Sequence, residues 1–141
     1  MEIEFSSECS FGIKKYSDGT AGIPYDCQIE VYLKSEVSAG PTKFWVDGID
    51  MESFLADLES LGTNLKGAVS LTSMSPGEFL LAIEPVDTLG HFVFKIEIGN
   101  RKYISSRWEW ASAKNAFPLD SAEVQSICTK LISYFRAAFN A

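Results

Sequence analysis

His91 is the only histidine of the chain, and two carboxylates, Glu84 and Asp87, stand shortly before it. Metal sites need a cluster of His, Cys, Asp and Glu ligands, and nucleophilic catalysis needs a serine or cysteine beside an oriented base. The chain has neither a G-x-S-x-G motif nor a glycine-rich phosphate loop. We therefore expect no enzymatic activity, no metal and no cofactor, and interpret His91 as a partly exposed side chain bonded to a nearby backbone group. The alternative is a general acid-base role for His91 with these carboxylates.

The cysteines and tryptophans have structural interpretations. Cys9, Cys27 and Cys128 are odd in number and lack C-x-x-C spacing, which is typical of a reducing compartment and not of a disulfide framework. Cys128 lies on the apolar stripe of a predicted helix, where a thiol packs as a small hydrophobe. The strand positions of three tryptophans favour core or cross-strand packing, with one exposed tryptophan as the alternative. They are Trp45, Trp108 and Trp110.

Acidic residues concentrate around the first predicted helix, where no basic residue occurs between Phe44 and Leu65. The acids are Asp47, Asp50, Glu52, Asp57 and Glu59. Glu52 and Glu59 lie on one flank of the apolar stripe of that helix, and Asp50 and Asp57 lie near the other. A solvated helix face explains them structurally. The functional hypothesis is docking to a basic protein, because a patch of one sign speeds encounter and discourages wrong partners. These five residues are the predicted partner-binding site.

Alternation of apolar and polar residues predicts a series of antiparallel strands. Turn-forming residues at positions 38–41 join a first pair of strands, residues 28–33 and 44–46. The turn Ser75-Pro76-Gly77 joins a second pair, residues 68–73 and 79–83. The clearest strand, residues 92–98, places four large apolar side chains on one face. Gly99-Asn100 predicts a turn from this strand into residues 102–111.

Two amphipathic helices complete the pattern. The first covers about residues 50–62, with Asp50 capping its start and Gly62 its end. The second covers about residues 120–139 and begins at a capping box of Asp120 and Glu123. Since antiparallel sheets commonly bury one face, the sequence predicts an α+β fold in which an antiparallel meander is covered on one face by these helices.

Length, composition and charge predict one globular domain over residues 1–141, since 46% of the residues are hydrophobic and 22% are charged. The net charge of −7 disfavours binding to nucleic acid or to anionic lipid. The N-terminus lacks the basic start and apolar run of a signal peptide, and no apolar stretch approaches the roughly 20 residues that cross a bilayer. We expect a cytoplasmic protein.

One segment resembles a known family. The run from Leu71 to Ile83, which contains Ser75-Pro76-Gly77, and the following residues 87–91 look like the central segment of bacterial WapI-type immunity proteins. Residues 54–61 and 67–69, and an aromatic strand leading into Leu119-Asp120 and the closing helix, resemble the rest, so the similarity runs from Phe44 to Phe139. It implies a small cytosolic antitoxin that binds the toxic C-terminal domain of a cognate polymorphic toxin, often a nuclease, without catalytic residues.

The leading functional hypothesis is therefore an immunity protein, monomeric or dimeric, that occludes a toxin domain. Two alternatives remain open. The first is a general protein–protein interaction domain with a different partner, which a neighbouring gene for a large secreted protein would argue against. The second is a small ligand-binding or hydrolytic α+β domain, which requires a concave pocket with His91 at its wall.

Overall fold

The structure is a computed structural model that describes residues 1–18, 27–35 and 39–139. Along this part of the chain, four strands are followed by a helix, and four further strands by a second helix. They are β1 Glu2–Glu4, β2 Ser10–Asp18, β3 Cys27–Lys34, β4 Ala39–Val46, α1 Gly48–Asn64, β5 Val69–Thr72, β6 Phe79–Pro85, β7 Phe92–Ile104, β8 Arg107–Leu119 and α2 Ser121–Phe139. Neither α1 nor α2, as far as the structure describes them, is long and apolar enough to cross a membrane.

The strands form two antiparallel sheets of four strands each, with β1–β4 in the first sheet and β5–β8 in the second. The predicted α+β class, with antiparallel strands and two helices, is confirmed. The meander is divided into two sheets because α1 carries the chain away from β4 before β5 begins. Of the turn predicted at residues 38–41, Ser38 lies outside the described residues, and residues 39–41 belong to β4.

The inner faces of the two sheets meet in one continuous apolar core. Phe44 of β4 stacks on Phe79 of β6 with ring centroids 4.2 Å apart, and Phe11 of β2 lies 6.0 Å from Phe94 of β7. Every second side chain of β7 from Phe92 to Ile98 is buried, as the alternation predicts. Fully burying each such side chain stabilises the fold by roughly 1.5–3 kcal/mol, so the contact between the sheets holds the two halves together.

The two helices pack against each other in opposite directions. The rings of Phe54 and Phe135 are 6.3 Å apart, and the amide of Gln125 donates to the carbonyl oxygen of Gly62 at 3.3 Å. Each helix follows a four-stranded sheet, so the order of four strands and one helix occurs twice along the chain. Cys128 is buried beside this helix contact, and burial raises the pKa of its thiol to about 11. Its predicted core position is confirmed.

The helix ends differ in part from the prediction. Asp47, not Asp50, caps α1, because its backbone is extended and its carboxylate accepts from the amides of Ile49 and Asp50 at 2.9 and 3.2 Å. Leu65, not Gly62, adopts the left-handed conformation at the other end. The capping box of α2 is confirmed. The amide of Glu123 donates to Asp120 at 2.8 Å, and that of Asp120 donates to Glu123 at 3.2 Å.

The predicted turn at Gly99-Asn100 is wrong, since both residues lie inside β7 opposite Ser112 and Ala111. The hairpin instead turns at Ser105 and Ser106, six residues further along the chain. Both serines have positive φ values, 49° and 68°. A two-residue hairpin turn of this kind requires positive φ at both central positions, a geometry that usually selects Asn and Gly.

Candidate protein-binding surface

The hairpin of β7 and β8 extends beyond the rest of the second sheet. Both strands are 13 residues long, but β6 pairs only with the part of β7 from Phe92 to Ile98. Residues 99–104 of β7 and 107–112 of β8 therefore continue as a two-stranded projection. We call residues 99–112 the aromatic arm.

Large aromatic side chains lie on the face of the arm that continues the outer, core-distant face of the second sheet. In the ladder Tyr103 pairs with Trp108, and Arg101 pairs with Trp110. Tyr103 and Trp108 contact edge to face with ring centroids 5.3 Å apart. Their exposed fractions are 64% each, and that of Trp110 is 49%. Ile104 beside the turn lies on the opposite face of the arm, with Arg107, and is 51% exposed. Such a group of exposed apolar side chains marks an interaction site more often than a scattered single one does.

Two glycines hold Trp110 against the base of the arm. A Cβ atom at Gly99 would lie 2.9 Å from Cζ2 of Trp110, and one at Gly77 would lie at the same distance from that atom. Real Cβ atoms do not approach so closely, so the indole ring packs directly on the backbone at both positions. The segment containing Gly77 also reaches the first sheet, since the amide of Met74 donates to the carbonyl of Trp45 at 2.8 Å. The base of the arm is thus supported by three chain segments.

The predicted core position of the tryptophans is wrong, because Trp45, Trp108 and Trp110 are all exposed. The phase of β8 explains the exposure of Trp108 and Trp110. Phe117 and Leu119 point inward, so every second residue counted back from them also points inward, and Trp108 and Trp110 fall on the opposite face. The predicted cross-strand packing does occur, between Trp108 and Tyr103.

The charge of the arm is opposite to that of the whole chain. Within residues 99–112, Arg101, Lys102 and Arg107 are basic and Glu109 alone is acidic. Glu109 is paired with Arg107, with Nε and Oε1 2.5 Å apart. Arg101 stands in the ladder opposite Trp110, on the aromatic face. An exposed guanidinium beside indole rings is a combination enriched in protein–protein contacts.

The structure distributes the five predicted acidic residues over different roles. Asp47 caps α1, and Glu59 forms an ion pair with Arg136 of α2. The other three are exposed on α1, with Glu52 on the flank of Glu59 and the two aspartates on the opposite flank. The acids thus form two rows along the helix surface and not one compact patch.

His91 lies at the surface beside a groove between β7, β8 and the start of α2. Its Nδ1 is 2.6 Å from Oδ2 of Asp87, so its partner is a carboxylate and not the predicted backbone group. This hydrogen bond, with one from the amide of Leu89, holds the pKa of Asp87 below its usual range. The groove encloses about 520 Å³. Its walls include Phe92, Pro118 and Leu119.

Two carboxylates on the rim of this groove, Asp120 and Glu123, accept the amide hydrogen bonds of the α2 cap. Their positions are therefore set by the start of the helix. Within the described residues, no three His, Cys, Asp or Glu side chains are grouped so as to hold a metal ion. The arrangement combines an apolar wall with a carboxylate-bound imidazole beside it, a lining that fits a small apolar ligand.

Comparison of the chain with models of protein families, with curated proteins and with solved structures gives no match.

Proposed function

We propose that this domain functions by binding another protein and that the aromatic arm is its main contact surface. The observation that carries the proposal is the exposure of Tyr103, Trp108 and Trp110 on one face of a projecting hairpin. Leaving large aromatic surfaces in water forgoes the free energy of burying them. Tryptophan, tyrosine and arginine are the residues that most often dominate binding energy at protein interfaces.

The arm is built to keep this surface in place before a partner arrives. Trp110 is fixed on the backbone of two glycines, and Trp108 rests on Tyr103. A contact surface that is already ordered loses less conformational entropy on binding than a flexible loop does. The arm therefore suits tight binding better than its small size alone would indicate.

The resemblance to WapI-type immunity proteins supports a toxin domain as the partner. On this proposal the chain is an antitoxin that acts in the cytoplasm and occludes the toxin. The acidic rows on α1 then speed the association with a basic partner. Charges of one sign mainly raise the association rate and contribute less to the stability of the final complex. The aromatic arm supplies the short-range contact.

The test is co-expression of the full chain with the C-terminal domain of a large secreted protein encoded beside it, scored by growth rescue and co-purification. The key variant is Tyr103→Ala/Trp108→Ala, because these two rings contact each other at the surface. We expect its affinity to fall at least about tenfold. The matched control is Ile49→Ala/Leu89→Ala, which removes two apolar side chains elsewhere that are even more exposed, at 73% and 80%.

Full rescue and unchanged affinity with the arm variant would contradict the assignment of this surface. Rescue by neither the wild type nor the control would point to the general interaction domain with another partner. Reversing Glu52 and Glu59 to lysine tests the acidic helix separately, and we expect slower association at low salt with little change in dissociation. A loss of binding in His91→Ala alone would instead place the protein contact at the groove beside His91.

A further inference from the structure

The outer strand of the arm, β8, presents an open sheet edge. In the described part of the chain β7 is the one strand that pairs with β8, which ends the second sheet. The β7–β8 register runs without interruption from Phe92 opposite Leu119 to Ile104 opposite Arg107. Edge strands are usually protected by bulges, prolines or charges. The proline of β8, Pro118, lies at the far end of the strand from the arm, and the charges of β8 within the arm, Arg107 and Glu109, pair with each other.

The turn determines which backbone groups of the arm face outward. In a hairpin with a two-residue turn, the residues that flank the turn form a hydrogen-bonded pair. Here those residues are Ile104 and Arg107, so Glu109 and Ala111 also direct their backbone groups to β7. The amides and carbonyls of Trp108 and Trp110 consequently point away from β7, at the free edge. Their rings lean over β7, onto Tyr103 and Gly99, and leave that edge uncovered.

We propose that this edge pairs with the same edge of a second copy of the chain. The two β8 strands run antiparallel about a twofold axis at Trp108. Arg107 and Glu109 flank Trp108 on the other face of the strand and carry opposite charges. In this register each Arg107 lies opposite Glu109 of the second copy, so two further ion pairs form across the axis, and Trp108 lies opposite Trp108.

Because β8 begins at Arg107, the pairing spans Arg107 to Glu109 of each copy and joins the two arms at their tips. Because opposite residues of an antiparallel pair lie on the same face, the aromatic faces of both arms become neighbours on one side. An isologous contact of this kind closes as a dimer and cannot extend into a fibre. The proposal needs no toxin or other partner, so it stands or fails separately from the proposed function.

The test is sedimentation velocity of the purified full chain from micromolar to submillimolar concentrations. We expect a monomer–dimer equilibrium. Arg107→Glu places carboxylates opposite each other at two symmetric positions, so its dimer dissociation constant should rise at least about tenfold. Glu109→Arg should weaken the dimer similarly. The double variant Arg107→Glu/Glu109→Arg restores the opposite charges and should return the dissociation constant to within about threefold of the wild type.

Lys66→Glu is the matched control, since it makes the same charge change at an exposed position outside the arm. Circular dichroism confirms the fold of each variant. A wild-type chain that stays monomeric over the whole range overturns the proposal. So does a dimer that Arg107→Glu does not weaken, or one that the double variant does not restore, because either result places the contact elsewhere or in another register.

Discussion

Gly99 determines how the arm is attached. A Cβ atom there would lie 2.4 Å from the carbonyl oxygen of Gly77 and 2.9 Å from the ring of Trp110. The sequence suggested that Gly99 forms a turn, because glycine commonly supplies a positive φ angle. Its role in the structure is close approach within a strand, which depends on residues far away in sequence. No local pattern distinguishes these two uses of glycine.

Replacing Gly99 by alanine should therefore weaken the whole molecule. Either the Gly77 backbone or the Trp110 ring must move, and we expect the free energy of unfolding to fall by about 1–3 kcal/mol. Urea unfolding followed by circular dichroism measures it. Asn100→Ala changes the next residue of the same strand, which is exposed, and should stay within about 0.5 kcal/mol of the wild type. Equal stability of the two variants would show that the contact at Gly99 is not tight.

At the scale of elements, the alternation of apolar and polar residues located the strands reliably. The exact ends of several elements could not be located from the sequence. The apolar positions of β7 and the capping box of α2 follow directly from residue types a few positions apart. The N-terminal cap of α1 does not follow from the sequence in this way. Asp47 and Asp50 are both suitable capping residues, and the chain leaves β4 so that Asp47 occupies the cap position. The arm was also missed, although its signal is present. Trp108 and Trp110 are out of phase with Phe117 and Leu119 on one strand.

The arm should become more stable when its turn is given residues that favour positive φ. Ser105→Asn/Ser106→Gly suits the observed φ values of 49° and 68°. We expect the free energy of unfolding to rise by about 0.5–1 kcal/mol. Ser105→Ala/Ser106→Ala keeps two small residues but lacks this preference, and should be neutral or destabilising. Thermal unfolding of the three proteins side by side measures both effects. A decrease with Asn-Gly would mean that the turn has another geometry.

At the scale of the whole molecule, the sequence indicated the fold class but not the division into two sheets. Which strands pair depends on contacts between residues far apart in sequence, and apolar and polar residues alternate in the same way in both halves of the chain. The candidate site was hard to predict for the same reason. The acids of α1 are adjacent in sequence and were easily noticed, whereas the support of the arm combines residues from β4, the β5–β6 turn and β7.

The shared core predicts that both sheets unfold together, as expected for the single domain over residues 1–141. Phe79 of the second sheet contacts Phe11 and Phe44 of the first. Phe79→Ala should therefore lower the free energy of unfolding by about 3–5 kcal/mol while keeping one cooperative transition. Far-UV and near-UV circular dichroism in urea should give coincident curves. Leu89→Ala, at an exposed position, is the control. Two separated transitions would show that the halves are independent domains.

The exposure of every tryptophan has an optical consequence. Trp45, Trp108 and Trp110 are 42%, 64% and 49% exposed. Indole fluorescence shifts to shorter wavelengths when water is removed from the ring, so the emission should change less on unfolding than it does in a protein with buried tryptophans. Emission is then a poor monitor of folding. It is a sensitive monitor of docking, because any protein that covers the arm removes water from two of the three indoles, those of Trp108 and Trp110. The chain thus carries its own reporter of complex formation without a label.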